Sequence, residues 1–289
     1  MYNFTTEQIP NQAGKKILIT GGNTGLGFEA AKVLARAGAT VHIACRNPLK
    51  GEEALKNLRP HGEVHLEILD LSNLGEVKAF AKVFGQTPLD VLINNAGVMG
   101  LLERTLTING LETQMGVNHF GHFALTNGLL KALEKSPAPR VVTVSSMAAH
   151  RTKLKLDNLN SEKSYNPYWT YCRSKLANIL FANELALLNK WLISLAVHPG
   201  VTPTDIKRNL VKSDLSLITA TWNVIGHPVE AAVLPILYAA TMDVKSGMYI
   251  GPKYKIKGPV AHLRQPAGAR SKTLGSSLWE ISKGIVDKI

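Results

Sequence analysis

The chain has 289 residues, with 33 Lys and Arg against 21 Asp and Glu for a formal charge of +12, and 45% of its residues are hydrophobic. That apolar content excludes a disordered chain and suffices for a sizeable core. Two cysteines, Cys45 and Cys172, exclude a disulfide framework and suit a reducing compartment.

An arm over residues 1–14 opens the chain, and its MYNFTTEQIPNQAGKK has no apolar run of the kind a secretory signal carries. Apolar runs of strand length follow at Lys16–Thr20, Thr40–Ala44, Val64–Leu69, Val91–Ile93, Val141–Val144 and Leu192–Val197. Between them, Phe28–Ala37, Glu52–Leu58 and Glu76–Phe84 have helical spacing. Strands alternating with helices predict an α/β fold: one doubly wound, Rossmann-like parallel sheet, helices on both faces, and ligands at the carboxyl ends of the strands. After Val197 the run HPGVTPTDI reads as loop, a helix is expected from about Val229 to Met242, and a short strand at Met248–Ile250. A single catalytic domain is expected over residues 15–252, with a substrate lid at about 203–228 and a basic extension at 253–289. The uncharged stretch Leu215–Val229 carries Asn223, Gly226, His227 and Pro228 and falls short of the ~18 apolar residues that a membrane span needs. No transmembrane segment is predicted. The chain is expected in the cytoplasm, with peripheral contact to a membrane left open.

The first strand runs into Thr20-Gly21-Gly22-Asn23-Thr24-Gly25-Leu26-Gly27, and a helix follows. Glycines there permit positive φ and close backbone approach, while a helix N-terminus offers free N–H groups to a pyrophosphate. Gly21, Asn23, Thr24, Gly25, Leu26 and Gly27 are therefore candidate contacts to a dinucleotide. The second strand ends Ala44-Cys45-Arg46 with no acid to bond a ribose 2′-hydroxyl. Arg46 instead offers a fork of donors to a 2′-phosphate, which favours NADP(H) over NAD. Asp70 and Leu71 close the third strand and Asn94-Asn95-Ala96-Gly97 the fourth, small and amide residues that suit the adenine ribose and the central sheet.

Tyr171-Cys172-Arg173-Ser174-Lys175 opens a long helix, and Tyr171 and Lys175, at i and i+4, share one face. An ammonium beside a phenol favours phenolate, which suits proton exchange with a carbonyl or alcohol near neutral pH. The fifth strand ends in Val144-Ser145-Ser146, where a serine hydroxyl can hold a substrate oxygen. Asn118, in GVNHFGHF, falls on an inferred helix between the fourth and fifth strands and can hold a water that links Lys175 to solvent.

These motifs resemble the short-chain dehydrogenase/reductase family: TGGNTGLG follows its TGxxxGxG, and NNAG, a strand-end serine and YxxxK come in its order over about residues 15–252. The resemblance implies a tetrad of Asn118, Ser146, Tyr171 and Lys175, the second serine of the pair being the one that usually holds the role. It implies that Lys175 also bonds the nicotinamide ribose and that Asn95 lies along the cofactor. It further implies that Pro199, Gly200, Val201, Thr202 and Thr204 follow the nicotinamide amide, and that Arg46 belongs to the NADP-preferring branch. Ser146 and Tyr171 are 25 residues apart, about twice the separation in compact members. With SKLANILFANELA, HPGV and SLWEISKG, this spacing is similar to the retinol-dehydrogenase-like branch, which implies an apolar carbonyl or alcohol substrate such as a retinoid, aldehyde or ketone. Relatives of this kind are often dimers or tetramers, so a homo-oligomer is expected.

Residues 151–289 hold 19 of the bases and 9 of the acids, and no acid falls between Asp243 and Glu280. A basic stretch invites an anionic partner, but no nucleic-acid module accompanies it and none is expected to bind. His61 with His65, and His119 with His122, have spacings that could suit a metal, but no carboxylate or cysteine cluster joins them. No metal is expected. The alternative function is a non-catalytic NADP-binding sensor or scaffold on the same fold, whose expected mark, a lost tetrad residue, is missing here.

Overall fold

Apolar runs of five or six residues are too short for helices but fill a strand buried on both faces, and a computed structural model, which describes residues 3–201 and 228–289, forms strands from them. In chain order these are β1 (Lys16–Thr20), β2 (Thr40–Cys45), β3 (Val64–Ile68), β4 (Val91–Asn94), β5 (Arg140–Val144), β6 (Ile193–Val197), β7 (Tyr249–Pro252) and β8 (Val260–His262). They form one sheet in the order β3-β2-β1-β4-β5-β6-β7-β8, parallel except for the last pair. The order reverses between β1 and β4, and a crevice opens there beyond the strand ends.

The helices are α1 (Gly25–Arg36), α2 (Pro48–Leu58), α3 (Leu74–Phe84), α4 (His122–Glu134), α5 (Pro167–Leu188), α6 (Leu234–Thr241) and α7 (Lys272–Asp287). A π-turn, Gly116–Gly121, leads into α4. Several starts lie earlier than apolar spacing alone suggests, because asparagines cap them. Asn47 accepts from Lys50 N, Asn73 from Gly75 N and Glu76 N, and Asn166 from Trp169 N, with Pro48 and Pro167 at the first helical position.

Each sheet face has its own core. Side chains of α1, α2 and α6 close on one face around Ile17, Ile19, Val41 and Ile43, and those of α3, α4, α5 and α7 on the other around Leu18, Leu92 and Val141. Residues 253–289 are built into the same body: Ile250, Gly251 and Pro252 of β7 pair with β8, and Trp279 of α7 stacks on Phe181 of α5 at 5.9 Å between centroids. The opening residues also pack, with Phe4 edge-on to Tyr238 and Gln12 N donating to Ala37 O. The lid expected at about 203–228 lies, apart from Pro228, outside the described residues. Among the described residues no helix is long and apolar enough to cross a membrane.

Candidate active site

A cleft of about 710 Å³ opens where the strand order reverses, and its floor is the turn after β1. Gly21 has φ +66°, and a side chain at Gly27 would run into the Gly21 carbonyl oxygen and the Asn95 amide. Only bare backbone fits, so the main-chain N–H groups at the start of α1 stay open to an anionic ligand. Asn23, Thr24, Gly25 and Leu26 line this end. Asn95 holds the floor in place: its Nδ2 donates to Thr20 O at 2.8 Å, while its main-chain N and that of Ala96 donate to Thr20 Oγ1 at 2.9 and 3.0 Å. One amide thus clips the end of β4 to the end of β1, and Asn95, Ala96 and Gly97 still face the cleft.

Arg46 is exposed on the wall beyond β2. Lys50, in the first turn of α2 and close after Arg46 in the chain, lines the same cleft; no sequence motif marks it. Asp70 and Leu71 line the far side, the Asp70 carboxylate accepting from Ser72 N at 2.9 Å and Ser72 Oγ at 2.7 Å.

Tyr171 and Lys175, both on α5, line the same cleft, with Lys175 Nζ 5.9 Å from the centroid of the Tyr171 ring. Lys175 Nζ donates to Val144 O at 3.1 Å, and Asn178, one turn on, donates to the same oxygen at 3.1 Å. A side chain at Gly97 would meet Lys175 Nζ at 3.3 Å and Asn118 Oδ1 at 3.2 Å, so glycine is what lets these groups come close to the β4 end.

The two serines after β5 have different fates. Ser145 is bound into the backbone, its Oγ donating to Lys175 O at 2.7 Å and its N to Val197 O at 2.7 Å. Ser146 caps the turn Met147–Arg151 by accepting from Ala148 N at 3.2 Å, which leaves its hydroxyl hydrogen to donate into the cleft.

Asn118 sits in the π-turn. Its Oδ1 accepts from Val98 N at 2.8 Å, and its Nδ2 donates to Val98 O and to Ser174 Oγ, each at 2.9 Å. The side chain therefore ties the strand end after β4 to α5. Its side-chain amide hydrogen bonds go to protein partners.

Pro199 and Gly200 close the roof, and Val201 N donates to Ile256 O at 3.2 Å. His198 beside them is held neutral by burial, its pKa down at about 3, and its Nδ1 accepts from Gly200 N. Thr202 and Thr204 lie outside the described residues. The insert between Ser146 and Tyr171 packs on the loop after β4, through Arg104 Nε to Asn160 O at 3.0 Å and Gln114 Nε2 to Pro167 O at 2.9 Å. That loop supplies Met99 and Leu101, which with Val117 make an apolar side to the cleft. The sequence reasoning missed both; their only signal is position, just after NNAG. Among the described residues no group of His, Cys, Asp or Glu has the arrangement of a metal site, and His119 and His122 are both buried in the core.

Residues 15–215 match the family model for the short chain dehydrogenase. The chain belongs to the short-chain dehydrogenase family. Among its relatives, human retinol dehydrogenase 12 is 44% identical over 235 residues, covering 79% of this chain and 72% of that protein. Human retinol dehydrogenase 11 is 38% identical over 291 residues, covering 96% and 86%. A crystal structure of an uncharacterized protein from Mycobacterium paratuberculosis superposes with a TM-score of 0.84 at 36% identity, over 99% of this chain and 98% of that one. This short-chain dehydrogenase thus falls in the retinol-dehydrogenase-like branch and is an oxidoreductase of a family that uses a nicotinamide cofactor. The glycine floor and the open helix N-terminus fit such a dinucleotide.

Proposed function

We propose that this short-chain dehydrogenase moves a hydride between NADP(H) and the carbon of an apolar carbonyl or alcohol, with Tyr171 as the general acid and base. The reading rests on one observation: Tyr171, Lys175 and Ser146 line the same cleft as the glycine turn after β1. The turn of Gly21 to Gly27, with Pro199 and Gly200, would hold the dinucleotide, which would supply the hydride when bound. The Ser146 hydroxyl orients the substrate oxygen, and the Tyr171 phenol gives that oxygen a proton in reduction and takes it back in oxidation. The Lys175 ammonium favours the phenolate form of Tyr171 and bonds the ribose. Asn118 keeps the loop at Val98 and helix α5 in register around them. Most of the rate should come from this positioning.

NADP rather than NAD is supported by Arg46, with Lys50 beside it and no acid at the end of β2. An apolar substrate is supported by Met99, Leu101 and Val117 and by relatives that are named retinol dehydrogenases.

Tyr171→Phe keeps the ring and removes the proton, so carbonyl reduction by NADPH, followed at 340 nm across a panel of aldehydes, ketones and retinoids, should fall by about a hundredfold or more. A variant that keeps full turnover would remove Tyr171 from the role.

A further inference from the structure

His122 is the first residue of α4, fully buried immediately after the π-turn that carries Asn118. Its Nδ1 lies 3.0 Å from the main-chain oxygen of Asn118, and its Nε2 lies 2.8 Å from Thr20 Oγ1. The partners dictate where the hydrogens are. A carbonyl oxygen only accepts, so Nδ1 carries the ring hydrogen. Thr20 Oγ1 already accepts from Asn95 N and Ala96 N, so its own hydrogen points away from them. Nε2 at 2.8 Å is a far better acceptor for it than Ile93 O at 3.4 Å.

The opposite tautomer would press Nε2–H against an oxygen whose lone pairs are filled, and an Nδ1 lone pair against a carbonyl oxygen. Protonation would add the first of these faults, and burial together with the nearby Lys175 charge holds the ring pKa down at about 4 despite the bond to Asn118. One form of the ring fits.

The main chain explains why a side chain is needed here. In an α-helix the N–H of residue 122 would bond the oxygen of residue 118. At this π-turn the His122 N–H bonds His119 O instead, and the imidazole of the same residue reaches Asn118 O. Such turns gather at functional sites.

We propose that His122 is a positioning residue that fastens the Asn118 turn to Thr20 at the end of β1, so that the floor under the dinucleotide and the proton-transfer groups hold one register. The path is continuous: the N–H groups of Asn95 and Ala96 bond Thr20 Oγ1, Thr20 bonds the ring, and the ring bonds Asn118. Asn118 in turn bonds Val98 and Ser174. The proposal rests on the function given above, since it assigns His122 to that same site.

Among the described residues, the two other deeply buried histidines provide internal contrast. Ser282 Oγ gives its hydrogen to Leu278 O at 2.7 Å, so His119 must donate to it from Nε2. His198 accepts at Nδ1 from Gly200 N, so its hydrogen is also on Nε2. His122 alone of these three is the Nδ1–H tautomer.

The test uses the full chain labelled with 15N-histidine, together with His122→Asn, His122→Gln and His122→Phe. Spectra of the parent should show a buried, neutral Nδ1–H ring that vanishes in every variant; an Nε2–H ring at position 122 overturns the proposal. In His122→Asn the amide N–H stands near the place of Nδ1–H, so kcat should stay within about threefold while the NADPH dissociation constant rises about fivefold or more. His122→Gln reaches Thr20 instead, so NADPH affinity should hold while kcat falls about tenfold or more. His122→Phe should lose both, with KM for the carbonyl within about twofold of the parent in all three. If the variants lose only thermal stability, and kcat and NADPH affinity stay within about twofold, His122 is merely a packed core residue. Should His122→Phe fail to fold, the Asn and Gln pair carries the decision. A parent that reduces no carbonyl would count against the proposed function, whereas the tautomer and the NADPH affinities of the variants would still decide the role of His122.

Discussion

At the scale of single residues, the site turns on where hydrogens and charges can go. Ser145 and Ser146 are chemically the same, yet only Ser146 keeps a hydroxyl hydrogen for the cleft, because Ser145 gives its own to Lys175 O. Arg46 is tested by its charge. If the proposed NADP(H) binding is right, Arg46→Asp would set a carboxylate against the 2′-phosphate, and loss of a charge-assisted contact worth about 1.5–3 kcal/mol should cut the NADPH over NADH preference by about tenfold or more. The ratio of kcat/KM for the two cofactors measures it, and an unchanged ratio would clear Arg46 of the role. Gly27→Ala tests the floor. Its methyl would overlap the Gly21 carbonyl oxygen and the Asn95 amide, so the protein should bind NADPH at least about tenfold more weakly, as read by fluorescence titration. That the glycine turn, Arg46, Tyr171 and Lys175 line one cleft follows from local spacing and strand ends, which the sequence carries. Lys50, Met99, Leu101 and the use of the Asn118 amide were not legible there, because their roles depend on partners far along the chain.

At the scale of elements, α5 is the helix on which the site depends. Asn166 and Pro167 start it, four residues before Tyr171, and its buried residues run almost all round its circumference. A helix apolar on one side only would not need a cover, but this one does. The cover is α7, whose Trp279 stacks flat on Phe181 and meets Phe123 edge-on at 4.9 Å. Trp279→Ala should lower unfolding free energy by about 2–4 kcal/mol, toward the lower end of buried aromatic truncations because Trp279 is only partly buried. Urea denaturation checks this, and a loss under about 0.5 kcal/mol would mean that α7 contributes little to holding α5. Seven of the eight strands were legible to within a residue or two, since short apolar runs between turn residues permit little else, whereas β8, only three residues long, lies in the stretch that read as a basic extension. The helix starts were less so, because capping side chains extend α2 and α3 beyond their apolar stripe.

At the scale of the whole molecule, three histidines among the described residues are deeply buried and held neutral. Burial lowers His119 to about 3, His122 to about 4 and His198 to about 3. The sign follows from proton binding. Above about pH 6.5 the rings are neutral in both the folded and unfolded chain and contribute no slope. Below it the unfolded chain takes up protons that the folded chain refuses, so stability falls by about 1.4 kcal/mol per pH unit for each ring down to about pH 4. Urea midpoints should therefore be level from about pH 8 to 7 and should drop clearly by about pH 5.5, above the ordinary carboxylate range. A midpoint that stays level to about pH 5.5 would show that these rings accept protons without unfolding the chain.

The +12 charge, by contrast, says little about function, because the C-terminal segment that holds much of it includes β8 and α7 of the same fold. By itself the sequence determined the alternation of strands and helices, the glycine turn after β1 and the Tyr171–Lys175 pair on one helix face. Those features depend on residues within a few positions of one another, where spacing fixes which face or turn a side chain occupies. Only the tertiary structure decided that α7 seals α5, that Ser145 is part of the backbone network and that His122 links Thr20 to Asn118. The bond between Thr20 and His122 joins residues 102 positions apart, and local spacing carries no record of which distant donor finds which acceptor.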